Sequence, residues 1–188
     1  MQKEVPGQRL EFNQLLKVES ENINEENFDA LATLLRSNHY KIAVIESITG
    51  GAIARKIVET PGCSDYFLGG VIAYSIPLKI QFGQVNPKTI AKYGAVSASV
   101  AEEMAIGIKK RTLADITIAS TGIAGPKNDM YDLDQNGTVF LSWNICDKIK
   151  KTKRYKIEGG RNDVIDKTAF IALSMCLQYI KNEIRKDY

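Results

Sequence analysis

The sequence predicts an α/β fold, a three-layer α/β/α sandwich around a mixed central sheet. Short apolar runs rich in β-branched residues alternate with helical segments, which favours parallel strands with helices on both faces of a sheet. Two further strand-like runs follow each other directly near the C-terminal end, as in an antiparallel hairpin. The chain has 188 residues, 44% of them hydrophobic and 25% charged, which suffices for one such core.

The first 24 residues are predicted to form a polar N-terminal segment, and residues 25–188 are expected to form a single α/β domain. The leading segment lacks any sustained apolar period. Apolar side chains then recur at helical spacing over residues 25–37, behind Asn24 as a plausible N-cap, which predicts an amphipathic helix.

Three apolar runs are predicted strands: residues 40–45, 67–75 and 115–120. The first run ends in a strand-to-helix turn of small residues, and such turns commonly hold ligands. The third run also ends in a small-residue loop. Helical composition between the runs predicts helices at residues 52–59, from Pro77 onward, and at residues 87–93 and 97–113.

The C-terminal third is predicted to hold an irregular acidic loop, a hairpin and a long helix. The loop covers residues 127–136, the hairpin strands cover 137–146 and 151–157, and the helix covers 162–186. A basic cluster beside the hairpin is interpreted as its solvated tip. The cluster consists of Lys148, Lys150, Lys151, Lys153 and Arg154.

Composition argues against several classes of protein. No apolar run approaches the roughly 20 residues that span a bilayer, and the first residues show no signal-peptide core, so we expect a cytoplasmic location and no membrane partner. A formal net charge of +3 gives no indication of a nucleic-acid partner. The cysteines are odd in number, are far apart and suggest neither a disulfide framework nor a zinc site: Cys63, Cys146 and Cys176.

One acidic segment resembles the start of a calcium-binding EF-hand loop. Residues 132–137 read Asp-Leu-Asp-Gln-Asn-Gly, but the twelfth position of that loop is Trp143, which supplies no carboxylate. We therefore predict no EF-hand site. Weak binding of a divalent ion by Asp129, Asp132 and Asp134 stays open.

The first candidate site is the segment Glu-Ser-Ile-Thr-Gly-Gly at residues 46–51, directly after the first predicted strand. A serine there can be held exposed beside the N–H groups of the following helix, which suits a nucleophile next to an oxyanion site. Equally, Ser47 or Thr49 could cap the helix while the glycines turn the chain. The motif alone leaves both interpretations open.

A serine nucleophile needs a base, and the sequence offers a lysine rather than a histidine. The single histidine, His39, precedes the strand that leads to Ser47, and a six-residue strand spans about 20 Å, so His39 cannot reach it. Lys79 is the candidate base, acting in a Ser-Lys dyad, and Tyr74 could relay or orient a proton. An ordinary solvated lysine on a helix is the alternative.

A second small-residue loop, Thr-Gly-Ile-Ala-Gly-Pro at residues 121–126, follows the third predicted strand. Its backbone donors suit a phosphate or an amide oxygen, although a plain turn is an alternative. Arg161, near the start of the last helix, could pair with a phosphate or form a structural ion pair.

In combination these motifs resemble the CinA C-terminal family, also known as the nicotinamide-nucleotide amidohydrolase family. The resemblance runs from about residue 26 to about residue 182. Its motifs occur in order, at residues 46–51, 61–62, 67–71, 74–75, 79, 94–97, 121–126, 137–139 and 160–161.

The resemblance implies an α/β/α sandwich that hydrolyses the amide of nicotinamide mononucleotide to nicotinic acid mononucleotide and ammonia, without metal or cofactor. It implies that Ser47 is the nucleophile, that Lys79 is the base and that Tyr74 assists. Backbone N–H groups would hold the oxyanion, and a loop with an arginine would hold the ribose phosphate. The implied substrate-binding residues are Thr49, Gly50, Gly51, Thr121, Gly122, Gly125 and Arg161.

The sequence departs from the family pattern at three places. Ile48 stands where relatives usually have cysteine, and residues 127–136 lack the glycines and the Lys-Pro pair that relatives carry. No residues here resemble the larger N-terminal domain of some relatives, so we expect the stand-alone form, and we also expect self-association. The alternative function is that of a non-catalytic relative that binds a nucleotide or a partner protein.

Overall fold

The computed structural model describes residues 26–125 and 136–184. Five strands and six helices lie in these ranges. The strands are β1 (Ile42–Glu46), β2 (Phe67–Ile72), β3 (Ile116–Gly122), β4 (Thr138–Ile145) and β5 (Ile149–Lys156). The helices are α1 (Glu26–Ser37), α2 (Ala52–Val58), α3 (Ile76–Gly83), α4 (Pro87–Tyr93), α5 (Ala98–Thr112) and α6 (Arg161–Ile184), and a short 3-10 turn covers Cys63–Asp65.

The strands form one mixed sheet in the order β2-β1-β3-β4-β5. Strand β1 pairs in parallel with both β2 and β3, whereas β4 runs antiparallel to β3 and to β5. The carboxyl ends of β1, β2 and β3 therefore meet at one edge of the sheet. Helices cover both faces, which confirms the predicted three-layer α/β/α sandwich.

Alternation along β1 explains why both faces of the sheet are covered. Ile42 and Val44 belong to a large core shared with α1, α2 and α6, while Ala43 and Ile45 belong to a smaller core shared with α3 and α5. All four side chains are fully buried. Successive side chains of a strand point to opposite faces, so an uninterrupted apolar run requires a helical layer on each side.

The second predicted strand ends three residues earlier than expected. It stops at Ile72, because Ser75 is already the N-cap of α3. The carbonyl oxygens of Ala73 and Tyr74 accept hydrogen bonds from the Lys79 amine instead of from a neighbouring strand. Pro77 lies in the first turn of α3, as its fixed φ favours.

The interpretation of the basic cluster as a hairpin tip is wrong. Only Lys148 lies in the turn, and the other four basic residues lie within β5. The turn is made instead by Cys146 and Asp147, which both adopt positive φ. Because β5 is an edge strand, its row of lysines has a structural explanation, namely protection of an open sheet edge.

Helices α3 and α5 pack unusually closely at two glycines. A Cβ atom added at Gly107 of α5 would overlap the carbonyl oxygen of Gly83 at the end of α3. The Arg111 guanidinium, one turn further along α5, donates to the Gln81 carbonyl. This contact fixes the position of α3, the helix that carries Lys79.

None of the described helices is long and apolar enough to cross a membrane. Over the same ranges, no group of three or more His, Cys, Asp and Glu side chains could hold a metal ion. Several predictions fall outside the described residues: the polar segment 1–24, the acidic loop up to residue 135, and the three aspartates considered for weak ion binding.

Candidate active site

A cavity of about 340 Å³ lies at the edge where β1 and β3 end. Volumes of this size are typical of small-molecule sites. The lining comes from the turn after β1, the start of α3, the segment before α5, the loop after β3 and the start of α6. The lining residues are Ser47, Ile48, Tyr74, Ile76, Lys79, Ala95, Val96, Thr121, Gly122, Ile123, Ala124, Gly125, Asn136 and Arg161.

Ser47 directly follows β1 and extends its pairing, because its N–H donates to the carbonyl of Ser120 on β3 at 3.0 Å. The residue is 7% exposed, so it is buried rather than exposed as the sequence suggested. It faces the cavity, and the next residue, Ile48, packs its side chain into the larger core.

Lys79 reaches Ser47 from the first turn of α3. Its Nζ atom lies 2.7 Å from Ser47 Oγ, 2.7 Å from the Ala73 carbonyl oxygen and 3.0 Å from the Tyr74 carbonyl oxygen. The side chain is 2% exposed. The alternative of a solvated helix lysine is therefore wrong, because α3 turns this side chain into the sheet edge.

Burial in this position lowers the pKa of Lys79 to about 8, because desolvation penalises the charged amine. Carbonyl oxygens only accept hydrogen bonds, so a neutral amine directs its two N–H groups to Ala73 and Tyr74. Its lone pair is then left for the Ser47 hydroxyl proton. About one molecule in ten carries the neutral amine at pH 7.

Tyr74 contributes its main chain, rather than its phenol, to the lysine. The side chain is largely exposed, and its hydroxyl accepts a hydrogen bond from Arg161 Nη2 at 3.4 Å. Arg161, the first residue of α6, also donates through Nη1 to the Gly125 carbonyl at 3.1 Å. Both residues line the cavity, and Arg161 is exposed.

The structure does not place Thr49, Gly50 and Gly51 in the cavity lining. The Thr49 hydroxyl is buried against Ser120 Oγ at 2.7 Å, and the Gly50 N–H donates to the Ser47 carbonyl. The Gly51 N–H donates to the carboxylate of Glu46. These groups are engaged within the protein, which is why they are not available to a ligand.

Two backbone N–H groups of this turn, those of Ile48 and Thr49, make no hydrogen bond to an acceptor within residues 26–125 and 136–184. Ile48 lines the cavity and immediately follows Ser47. Sequence reasoning missed the Ile48 N–H, although an N–H directly after a serine in a strand-to-helix turn is a common oxyanion donor.

The end of β3 and the loop that follows it also line the cavity. The Thr121 hydroxyl donates to the Ala95 carbonyl at 3.0 Å, so this side chain positions the segment before α5. At Gly122 an added Cβ would lie 2.6 Å from both Ile48 Cδ1 and the Thr138 carbonyl oxygen, so only glycine fits. Asn136 lies over Gly125, and among the described residues its buried Oδ1 finds no donor.

His39 is exposed and lies before β1, at the end of the strand opposite to Ser47. The structure therefore confirms that no Ser-His pair forms at this site. Most of the predicted site residues line this one cavity, and Thr49, Gly50 and Gly51 are the exceptions. Those that line it are Ser47, Tyr74, Lys79, Thr121, Gly122, Gly125 and Arg161.

Curated relatives are similar to the chain over most of its length. A CinA-like protein from Thermotoga neapolitana is 39% identical over 164 residues, which cover 87% of this chain and 40% of that protein. A putative competence-damage inducible protein from Halothermothrix orenii is 44% identical over 134 residues, covering 71% and 32% respectively. The chain thus spans about two fifths or less of the length of these relatives.

Solved structures and a family model agree with this similarity. A competence-damaged protein (CinA) superfamily protein from Enterobacter cloacae superposes with a TM-score of 0.79 at 27% identity, covering 96% of this chain and 99% of that one. A competence or damage-inducible protein from Enterobacter asburiae gives 0.77 at 28% identity, covering 83% and 97%. The family model of the CinA C-terminal domain matches residues 24–180 of this chain. The chain belongs to the CinA C-terminal domain family.

Proposed function

We propose that this protein is an amidohydrolase that deamidates nicotinamide mononucleotide to nicotinic acid mononucleotide and ammonia. The observation that carries the proposal is the 2.7 Å hydrogen bond between Lys79 Nζ and Ser47 Oγ inside a cavity. A buried amine with a lowered pKa is the base that a serine nucleophile needs when no histidine is near.

In the first half of the reaction, neutral Lys79 takes the hydroxyl proton of Ser47 while Oγ bonds to the carboxamide carbon. The carbonyl oxygen becomes an oxyanion next to the Ile48 N–H, which has no acceptor among the described residues. Lys79 then gives its proton to the leaving nitrogen. The carbon–nitrogen bond breaks, ammonia departs, and an ester joins the acyl group to Ser47.

Hydrolysis of the ester uses the same two groups in reverse. Lys79, neutral again, takes a proton from a water molecule as the water oxygen bonds to the ester carbon. Collapse of the tetrahedral intermediate breaks the bond to Ser47, and the lysine returns the proton to Oγ. The product is a carboxylic acid, which ionises in solution. The carbonyls of Ala73 and Tyr74 hold the amine in place throughout.

The proposed substrate fits the polarity of the cavity. Apart from Lys79, Arg161 is the one basic residue that lines it on the described part of the chain, and a guanidinium pairs well with a phosphate. The buried Oδ1 of Asn136 suits a hydroxyl donor such as a ribose hydroxyl. Gly125, between these two side chains, leaves room for the ligand.

The test is release of ammonia and nicotinic acid mononucleotide from nicotinamide mononucleotide. We expect release by the unaltered protein and losses of at least about 10³-fold in Ser47→Ala and Lys79→Ala. Ser64→Ala and Lys88→Ala, which alter an exposed serine and an exposed lysine, are the matched controls and should keep full activity. Folded, unaltered protein that releases no ammonia would exclude this substrate.

The second candidate function is non-catalytic binding of a nucleotide or a partner protein. It would follow if nicotinamide mononucleotide bound in the cavity without turnover. The contact between Lys79 and Ser47 favours catalysis over this alternative, because a binding pocket has no need of a desolvated lysine beside a serine hydroxyl.

A further inference from the structure

Glu46, the residue directly before Ser47, carries a buried carboxylate that the proposed reaction does not use. It is 1% exposed. One of its oxygens accepts hydrogen bonds from the N–H groups of Gly51 at 3.0 Å and Ile53 at 3.1 Å, and the other accepts from Ala54 at 2.9 Å. Three backbone donors at the start of α2 therefore converge on one side chain.

These hydrogen bonds close the turn that holds the serine. The chain leaves β1 at Glu46, reverses at Gly50 and Gly51, which both adopt positive φ, and returns so that α2 begins against the Glu46 carboxylate. The Glu46 backbone is itself fixed, since its carbonyl accepts from the Ala73 N–H at 2.7 Å. Ser47 thus lies inside a loop that is anchored at both ends.

We propose that Glu46 is a positioning residue, whose carboxylate holds the turn of residues 47–50 so that Ser47 Oγ stays against Lys79 Nζ. The role rests on the proposed function, because it presumes that Ser47 is the nucleophile. Glu46 makes no hydrogen bond to the lysine and is not itself one of the residues that line the cavity, so it acts through the turn.

Two substitutions separate this role from simple packing. Glu46→Gln keeps the size of the side chain, but its amide nitrogen meets backbone N–H donors and cannot accept from them. Glu46→Asp keeps both acceptor oxygens and the charge on a shorter side chain, so it should restore part of what glutamine loses. Asn86→Ala is the matched control, because it removes a helix cap from α4 on the surface.

The experiment combines three measurements at 25 °C on folded protein. Amide hydrogen exchange reports on residues 47–54. Modification by phenylmethanesulfonyl fluoride, in which Ser47 Oγ bonds to sulfur and fluoride leaves, reports on the serine without the substrate. Steady-state kinetics with nicotinamide mononucleotide give kcat and KM separately.

For Glu46→Gln we expect at least tenfold faster exchange over residues 50–54, roughly 10- to 100-fold slower modification of Ser47 and a similar loss in kcat, with KM nearly unchanged. Glu46→Asp should lie between glutamine and the unaltered protein. Asn86→Ala should differ from the unaltered protein in none of the three.

Three results would overturn the proposal. Unchanged exchange in Glu46→Gln would show that the carboxylate does not hold the turn. Faster exchange with unchanged modification and kcat would show that the contact is only structural. Unaltered protein that is neither modified at Ser47 nor active would overturn the proposed function and the positioning role together. This result is distinguishable from the first two, because it concerns the unaltered protein rather than a Glu46 variant.

Discussion

Lys79 Nζ lies 2.7 Å from Ser47 Oγ although 32 residues separate the two in the chain. Two features bring them together. Parallel pairing of β1 with β2 places the end of β1 next to the start of α3, and the close contact of Gly83 with Gly107 presses α3 onto α5. The fold therefore places a desolvated amine next to the serine hydroxyl.

Activity should rise with pH through about 8. Burial lowers the pKa of Lys79 to about 8, and only the neutral amine accepts the serine proton. Below that pH, kcat/KM for nicotinamide mononucleotide should fall about tenfold per pH unit. A profile that stays flat between pH 6 and 9 would contradict a lysine base.

Lys79→Met should alter how stability depends on pH. The pKa of Lys79 is lower in the folded protein than its ordinary value of 10.5, so the unfolded chain binds more protons between pH 8 and 10.5. The contribution of this lysine to the free energy of unfolding therefore rises over that interval, by at most about 3 kcal/mol. Urea unfolding of both proteins at pH 7 and pH 10 measures this, and equal pH dependence would contradict it.

Gly107→Ala should impair catalysis from outside the cavity. The added methyl group would overlap the Gly83 carbonyl and push α3, with Lys79, away from Ser47. We expect destabilisation by about 1–3 kcal/mol and at least a tenfold loss in kcat/KM well below the unfolding temperature. Lys110→Ala, on the exposed face of the same helix, is the control. Destabilisation without loss of activity would show that α3 adjusts.

Arg161→Gln should affect substrates according to their phosphate. Its guanidinium lies at the rim of the cavity, held by Gly125 and Tyr74. We expect KM for nicotinamide mononucleotide to rise roughly 10- to 100-fold, with much less change for nicotinamide riboside, which lacks the phosphate. Lys167→Gln, which alters another basic residue further along α6, is the control and should leave both KM values unchanged. Equal effects on both substrates would argue against a phosphate contact.

Sequence patterns were sufficient to predict the layers of the fold, but they left open whether Lys79 meets Ser47 or lies exposed on its helix. Apolar runs such as residues 42–45 are buried on both faces, and this burial is a property of composition that the sequence displays directly. Lys79 was a candidate base from its position after the second strand, but nothing in its local spacing distinguishes it from an exposed helix lysine, and only the family resemblance implied its role. Its burial depends on how α3 packs against α5.

The role expected of Thr49, Gly50 and Gly51 could not be judged from the sequence. A strand-to-helix turn offers free N–H groups unless a side chain returns to them, and here Glu46 does so. Nothing in local propensity indicates whether a glutamate at the end of a strand points to solvent or folds back onto the next helix. The Ile48 N–H was overlooked for the same reason, because the sequence does not show which N–H groups of a turn already have acceptors within the protein.

The most direct test of the central claim is whether an acyl group passes through Ser47. Hydrolysis of nicotinamide mononucleotide would be run in the presence of hydroxylamine, which competes with water for an acyl-enzyme. We predict that hydroxamate forms at the expense of nicotinic acid mononucleotide, and that Ser47→Ala forms neither product. Ammonia release by Ser47→Ala at the rate of the unaltered protein, without hydroxamate, would contradict the account.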